Sequence, residues 1–225
     1  MDLRLLRSIP IFSGLDAQDL ERIAQLCVHK TCAANQLILV EEESGQSLFI
    51  IKRGSVKVSH VSDEGREVIL SILNAGDFFG EMALLDGRGR SANVTALVET
   101  ELLVLRRGDF LGLLEDYPQI SIALLRELAG RIRRSDSHIS TLSLKDAMGR
   151  VAMALVHVAE KTGRPRGREM VIPKLPIQQD LANMAGTARE TISRAMGQFE
   201  EMGYLEREGH RVVVKDFEAF KRAFG

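Results

Sequence analysis

Leu125, Leu128, Ile132, Ser135, Ile139 and Leu142 follow one another in alternating steps of three and four residues. That spacing is the repeat of a coiled-coil seam, and it predicts one long helix with a narrow apolar stripe. The rest of this helix carries Arg131, Arg133, Arg134 and Asp136, side chains that are costly to bury. Two arrangements satisfy the stripe: packing on the chain's own domain, or pairing with the same helix of a second copy. The length of the segment and the charges around the stripe favour pairing, with Ser135 as the one polar residue in the seam. The helix also divides the chain, since 225 residues exceed a usual single domain and the pattern before the seam differs from the pattern after it.

From Thr31 to Arg107 short apolar runs are broken by glycine-bearing turns. Leu48 to Ser59 alternates around Gly54, Asp63-Glu64-Gly65 is a hairpin-type turn between two apolar runs, and Asn93 to Leu105 reads as a further strand. Many short strands with regular turns predict a barrel or jelly roll. After the seam, Asp146 to Gly149 interrupts the helical pattern with Gly149 as a hinge, and a second helix follows from Arg150. The basic stretch 163–169 (GRPRGRE) is open to two readings, a solvated loop or strand approach and a phosphate contact.

Two motifs carry chemistry. The first is Gly76 to Leu85 (GDFFGEMALL), followed by Arg90-Ser91-Ala92. Glycines at a strand end let backbone amides approach an anion, an arginine neutralises it, and a hydroxyl adds a hydrogen bond. Glu81, an acceptor pair, suits a ribose hydroxyl. The same residues also fit an Arg90–Glu81 salt bridge that ties a turn together. The second motif is Leu175 to Leu205: a short helix from Ile177 to Met184, a turn at Ala185-Gly186-Thr187, and a second helix to about Met202. Ile192, Met196, Phe199 and Gly203 share one face of that helix. Glu190, Ser193, Arg194 and Gly197 share the other, with Arg189 beside them, which leaves polar groups to read base edges. Thr187 with Glu190 is also a capping box, which accounts for those two residues without DNA. Tyr204 to Val214, which includes His210, reads as a hairpin, the wing.

Composition, 45% hydrophobic and 27% charged, is that of a globular chain with a full core. No run approaches a membrane span and the N-terminus lacks a signal peptide's apolar segment, so the expected location is the cytoplasm. Net charge is −1; through Lys145 there are 17 basic and 20 acidic residues, and after it 13 and 11. The DNA reading therefore rests on motifs rather than on bulk charge. Cys27 and Cys32 are expected to be buried or inert thiols, with a redox role as the lesser reading. Five scattered histidines, His29, His60, His138, His157 and His210, make no metal cluster, and no nucleophile–base constellation suggests an enzyme.

The stretch FFGEMALLDGRGRSANVTA resembles the phosphate-binding cassette of cyclic-nucleotide-binding domains, and IPIFSGLDAQDLERIA resembles their helical lead-in. With the helix-turn-helix motif, nearly the whole chain resembles the catabolite-activator and fumarate-nitrate-reductase (Crp/Fnr) family of bacterial transcription regulators. The resemblance implies an α+β fold in three parts: a cyclic-nucleotide-binding β jelly roll over 1–116, a dimerisation helix over 117–145 and a winged helix-turn-helix over 146–225. It implies that Glu81 holds the ribose 2′-hydroxyl, that Arg90 and Ser91 hold the cyclic phosphate, and that Gly80 and the amides near Met82 and Ala83 complete the cradle. The effector it implies is cyclic AMP first and cyclic GMP second. One departure is that the family's adenine-contacting Thr-Ser pair falls here on Ser135-Asp136, where Asp136 can still accept from an exocyclic amino group. The implied DNA-reading residues are Thr187, Arg189, Glu190, Ser193 and Arg194, and the implied partners are a second copy, double-stranded DNA and RNA polymerase. In the family an arginine at the Arg189 position accompanies TGTGA-like half-sites, while Ser193 belongs to branches with TTGAT-like ones. The rival readings are a regulator of the same fold that senses redox, a gas or another effector, or acts without ligand, and a cyclic-nucleotide-binding regulatory subunit of a partner enzyme.

Overall fold

Gly54 has φ +97°, and a Cβ there would stand 2.5 Å from Thr100 Oγ1, so only glycine lets the chain fold back at this point. The run from Leu48 to Ser59 therefore becomes two strands. The computed structural model describes residues 3–209 and 211–224, and it divides between Arg133 and Arg134 into two compact units.

In the first unit, α1 (Leu3–Ser8) and α2 (Ala17–Leu26) lead into β1 (Val28–Cys32), β2 (Leu37–Leu39), β3 (Ser47–Arg53), β4 (Ser55–Val61), β5 (Glu67–Asn74) and β6 (Phe78–Phe79). Helix α3 (Met82–Asp86), β7 (Asn93–Ala96), β8 (Thr100–Arg106), α4 (Arg107–Asp116) and the first part of α5 (Pro118–Leu144) follow. Asp16 starts α2 by accepting the Asp19 N–H at 2.9 Å. Two antiparallel sheets form, ordered β1-β8-β3-β6 and β2-β7-β4-β5. The single strand expected from Asn93 to Leu105 is instead two strands in different sheets, because the chain crosses between them at 97–99.

Period-2 alternation decides which side chains meet. Phe49 and Ile51 of β3 and Leu102 of β8 join Val56, Leu73 and Val94 between the sheets. Leu48 and Ile50 of β3 and Leu103 and Leu105 of β8 point the other way, onto Leu6, Phe12, Leu20, Phe110 and Leu124 of the helical layer. Covering both faces of β3 explains its unbroken apolar run, and it fixes the short β6 and the turn after it against a rigid sheet.

In the second unit, the end of α5 is followed by α6 (Ala147–Thr162), β9 (Arg164–Arg166), β10 (Glu169–Ile172), α7 (Gln178–Ala185), α8 (Arg189–Glu201), β11 (Leu205–Glu208), β12 (Arg211–Val214) and α9 (Phe217–Phe224). The interruption expected at Asp146 to Gly149 falls at Lys145-Asp146. Asp146 caps α6 by accepting the Gly149 N–H at 2.7 Å, so Gly149 is a buried residue of the first helical turn and not a hinge. The basic stretch 163–169 contributes the hairpin β9–β10, turned by Gly167 at φ +65°. Sheet order is β11-β12-β10-β9, and the rings of Phe199 and Tyr204 meet those of Phe220 and Phe224 edge to face, with the last two tilted against each other, at centroid distances of 4.9–5.6 Å where α8 meets α9.

Candidate functional site

The first motif closes on itself after β6. Gly80 adopts φ +84°, and a Cβ there would lie 2.7 Å from Arg90 Nη1 and 3.2 Å from the Ser47 carbonyl, so the glycine makes room for the arginine. Arg90 is 6% exposed; its Nη1 donates to Gly80 O at 2.7 Å, its Nη2 to Ser47 O at 3.0 Å, and its guanidinium lies 5.8 Å from the Phe49 ring centroid. Two of a guanidinium's five N–H groups are thereby used to orient it. Burial pulls Arg90 below its ordinary pKa, opposed by the charge of Glu81. Its backbone is held as well, donating to Glu43 O at 2.8 Å and accepting from Glu42 N–H at 2.9 Å.

Glu81 is 2% exposed. Its Oε1 accepts from Arg131 Nη1 at 2.8 Å, while its Oε2 is buried without a hydrogen-bond partner. Arg131 Nη2 donates to Phe78 O at 2.7 Å, its Nε lies 3.6 Å from Glu127 Oε1, and its guanidinium sits 4.7 Å from the Phe78 ring centroid. The sequence had offered an Arg90–Glu81 salt bridge as one account of this motif; the ion pair is instead made by Arg131, from α5, and Arg90 is forked onto carbonyls. Beside them Ser91 is exposed, with Oγ 3.5 Å from Met82 Sδ; Met82 is exposed and Ala83 buried. A carboxylate oxygen that lacks a donor, next to a cation held by neutral carbonyls, can take up a ligand with a hydroxyl and an anionic group.

Arg131 is the residue that sequence reading missed, having been placed on the solvated face of the helix. Gly45 is a second: it is buried, and a Cβ there would stand 2.6 Å from Ala83 Cβ and 2.8 Å from Arg90 Cζ. Ser135 and Asp136 are exposed on α5 and belong to the second unit. Along the same helix Leu125, Ile132 and Ile139 are each 60% exposed or more and Leu142 is 38% exposed, while Leu128 is half-buried against the core of the first unit, so the seam is uncovered within this chain at four of its five apolar positions.

In the second motif, α7 ends at Gly186 with φ +56°, and the Thr187 N–H donates back to Ala182 O at 3.0 Å. Helix α8 begins after Ala188, which occupies the cap position with no side-chain bond, so the expected Thr187–Glu190 capping box does not form. Ile192, Ala195, Met196 and Phe199 are buried, and Arg189, Glu190, Ser193 and Arg194 are exposed; Thr187 and Gly197 are half-buried. Gly203, expected on the buried face, is exposed in the turn beyond the helix. Arg189 Nε donates to Gln178 Oε1 at 3.3 Å, which links the two helices at their N-terminal ends. Arg150 Nε donates to Ala185 O at 3.0 Å and so holds the end of α7. The wing is the β11–β12 hairpin, tied to α8 by the Arg207–Glu200 ion pair; His210 lies outside the described residues. Burial pushes the Cys27 thiol up to about 11, and Cys32 is buried. Among the described residues no three His, Cys, Asp or Glu side chains stand together as metal ligands, and no helix is long and apolar enough to cross a membrane.

Comparison with known proteins matches residues 29–117 to the cyclic nucleotide-binding domain and residues 149–223 to the Crp-like helix-turn-helix domain. The chain is 30% identical over 212 residues to a CRP-like cAMP-activated global transcriptional regulator of Mycobacterium tuberculosis, covering 94% of this chain and 95% of the relative. It is 32% identical over 212 residues to the cyclic AMP receptor protein of Thermus thermophilus, covering 94% of each. Among solved structures, FixK2 from Bradyrhizobium japonicum superposes with a TM-score of 0.78 at 23% identity, over 88% of this chain and 98% of that one, a likeness of fold.

Proposed function

The chain belongs to the Crp/Fnr family of transcription regulators, and from that premise we propose that it is a homodimer whose DNA binding is controlled by a cyclic nucleotide, cyclic AMP first. The family makes it a ligand-responsive DNA-binding regulator rather than an enzyme; the effector, the operator and the roles of individual residues are our reading. The parts we assign are a sensor over 1–116, a dimerisation helix over 117–145 and a DNA-binding part over 146–225.

The observation that carries the effector is the unpartnered, buried Glu81 Oε2 beside Arg90. A buried acceptor without a donor costs free energy that a ribose hydroxyl recovers, and Arg90 with Ser91 supplies charge and a hydroxyl for a cyclic phosphate. Gly80 and the amides near Met82 and Ala83 let the anion approach closely. These residues fit a cyclic nucleotide: its free ribose 2′-hydroxyl for the carboxylate and its anionic cyclic phosphate for the arginine. Glu81 is held by Arg131 of α5, so whatever Glu81 binds is felt by the helix that carries the seam. Coupling follows if the ligand favours one of two dimer arrangements. Ser135 and Asp136 are the proposed contacts to the base.

In DNA, Thr187, Arg189, Glu190, Ser193 and Arg194 would meet the major groove, with two copies reading half-sites roughly 34 Å apart. Operator DNA and RNA polymerase as partners place its action in the cytoplasm. Calorimetric titration with cyclic AMP and cyclic GMP tests the sensor. Binding that disappears in Arg90→Leu is the expected result, and binding unaffected by that substitution overturns the assignment.

A further inference from the structure

The chain has eight methionines. Among the described residues Met184 and Met196 are buried, Met148, Met153 and Met170 are half-buried, and Met82 and Met202 are exposed at 48% and 57%. Met202 ends α8 on the surface. Met82 instead opens α3 directly after Glu81, and its Sδ lies 3.5 Å from Ser91 Oγ, next to the buried Arg90. A thioether is a weak acceptor, so a hydroxyl resting against it is readily given up to an incoming anion. A sulfoxide is a different group: neutral but strongly polar, with an oxygen that competes for that hydroxyl proton and turns the negative end of the S–O dipole toward the place where an anion is to bind.

We propose that Met82 is a reversible oxidation site, and that its sulfoxide weakens anion binding among Glu81, Arg90 and Ser91. The inference rests on the ligand-binding reading of that pocket. A hydroperoxide is the oxidant. The Met82 sulfur attacks the terminal oxygen of hydrogen peroxide, an S–O bond forms as the O–O bond breaks, and the departing hydroxide collects the remaining proton as water. Sulfur loses two electrons and the peroxide gains them. Reversal needs a thiol-dependent sulfoxide reductase, in which two thiols become a disulfide and the oxygen leaves as water. The consequence is local to this methionine, because Met202 has no part in the pocket.

The test uses the full-length protein, hydrogen peroxide, peptide mass analysis and calorimetry with cyclic AMP. Wild type carrying one added oxygen at Met82 should bind about tenfold more weakly, the loss expected for one compromised hydrogen bond to a charged group, and sulfoxide reductase should restore it. Met202→Leu should lose affinity on treatment as wild type does. Met82→Leu, whatever its starting affinity, should not change on treatment. Equal loss in Met82→Leu, or oxidised wild type with unaltered affinity, overturns the proposal. A second readout needs no nucleotide: the Ser91 hydroxyl occupies a sulfur lone pair, so in Ser91→Ala the rate of Met82 oxidation relative to Met202 should rise. An unchanged ratio also overturns it. Untreated protein that binds neither cyclic AMP nor cyclic GMP contradicts the ligand reading alone, and the rate ratio then decides the role of Met82.

Discussion

Glu81 is central to the proposed effector site because a carboxylate so deeply buried needs compensation, and only one of its oxygens has it. Arg131→Leu should therefore destabilise the first unit by about 3–5 kcal/mol, the cost of leaving a buried charge unpaired. Glu81→Gln in that background should recover much of the loss. Denaturant unfolding of the two single variants and the double variant measures this coupling, and additive effects would mean that the pair is not a unit. Glu81→Gln alone should weaken nucleotide binding less than Arg90→Leu, since the amide keeps one acceptor. That Glu81, Arg90 and Ser91 lie near one another was legible in the sequence, because one short stretch carries them all. Arg131 was not, since it reaches Glu81 across 50 residues and nothing in its neighbours marks it. The capping-box pattern at Thr187 misled for a different reason: the chain turns at Gly186 in the left-handed region, and the cap position passes to Ala188.

The elements were legible where a period extended over many residues. The seam from Leu125 to Leu142 predicted one long helix, which is the greater part of α5 (Pro118–Leu144), and the turn glycines marked the hairpins. The division between β7 and β8 was not visible, because Val, Thr and Leu suit strands in either sheet and nothing local says where the chain changes sheets. The seam's uncovered apolar residues lead to a direct test of pairing. Ile132→Glu should dissociate the dimer, burying an unpaired carboxylate at a cost of roughly 3 kcal/mol or more. Light scattering that still reports a dimer would place the interface elsewhere. Helices α5 and α6 also carry His138 and His157, both held below the ordinary histidine value of 6.5 by burial, with Lys161 adding to the effect at His157. A depressed folded-state value means that their neutral forms contribute stability above the ordinary value, which is lost as pH falls through the depressed one. The thermal midpoint of the protein should fall below about pH 6.5, and less steeply in His157→Gln. An identical pH profile in that variant would remove His157 from the account.

At the scale of the whole molecule, the stretch that matches the cyclic nucleotide-binding domain and the stretch that matches the Crp-like helix-turn-helix domain lie in separate compact units, and α5 contains the division between those units. On the DNA side, arginine matches guanine O6 and N7, so the exposed Arg189 predicts G·C pairs in each half-site; the family resemblance makes the expected palindrome TGTGA-like, with some relaxation at the position proposed for Ser193. Arg189→Val should cost about 1–3 kcal/mol on the preferred site and relax one symmetric guanine in each half-site. Site selection that returns the wild-type consensus with uniformly weaker binding would assign Arg189 to phosphate instead. The central claim is that a nucleotide held by Arg90 and Glu81 governs what α8 does. It is tested most directly by the affinity of the full-length protein for a fluorescent TGTGA-palindrome duplex, measured at one fixed salt concentration with and without cyclic AMP. The account predicts at least roughly tenfold tighter binding with the nucleotide in wild type, a coupling of about 1.4 kcal/mol, and no change in Arg90→Leu. Wild-type affinity that is the same with and without cyclic AMP would contradict it.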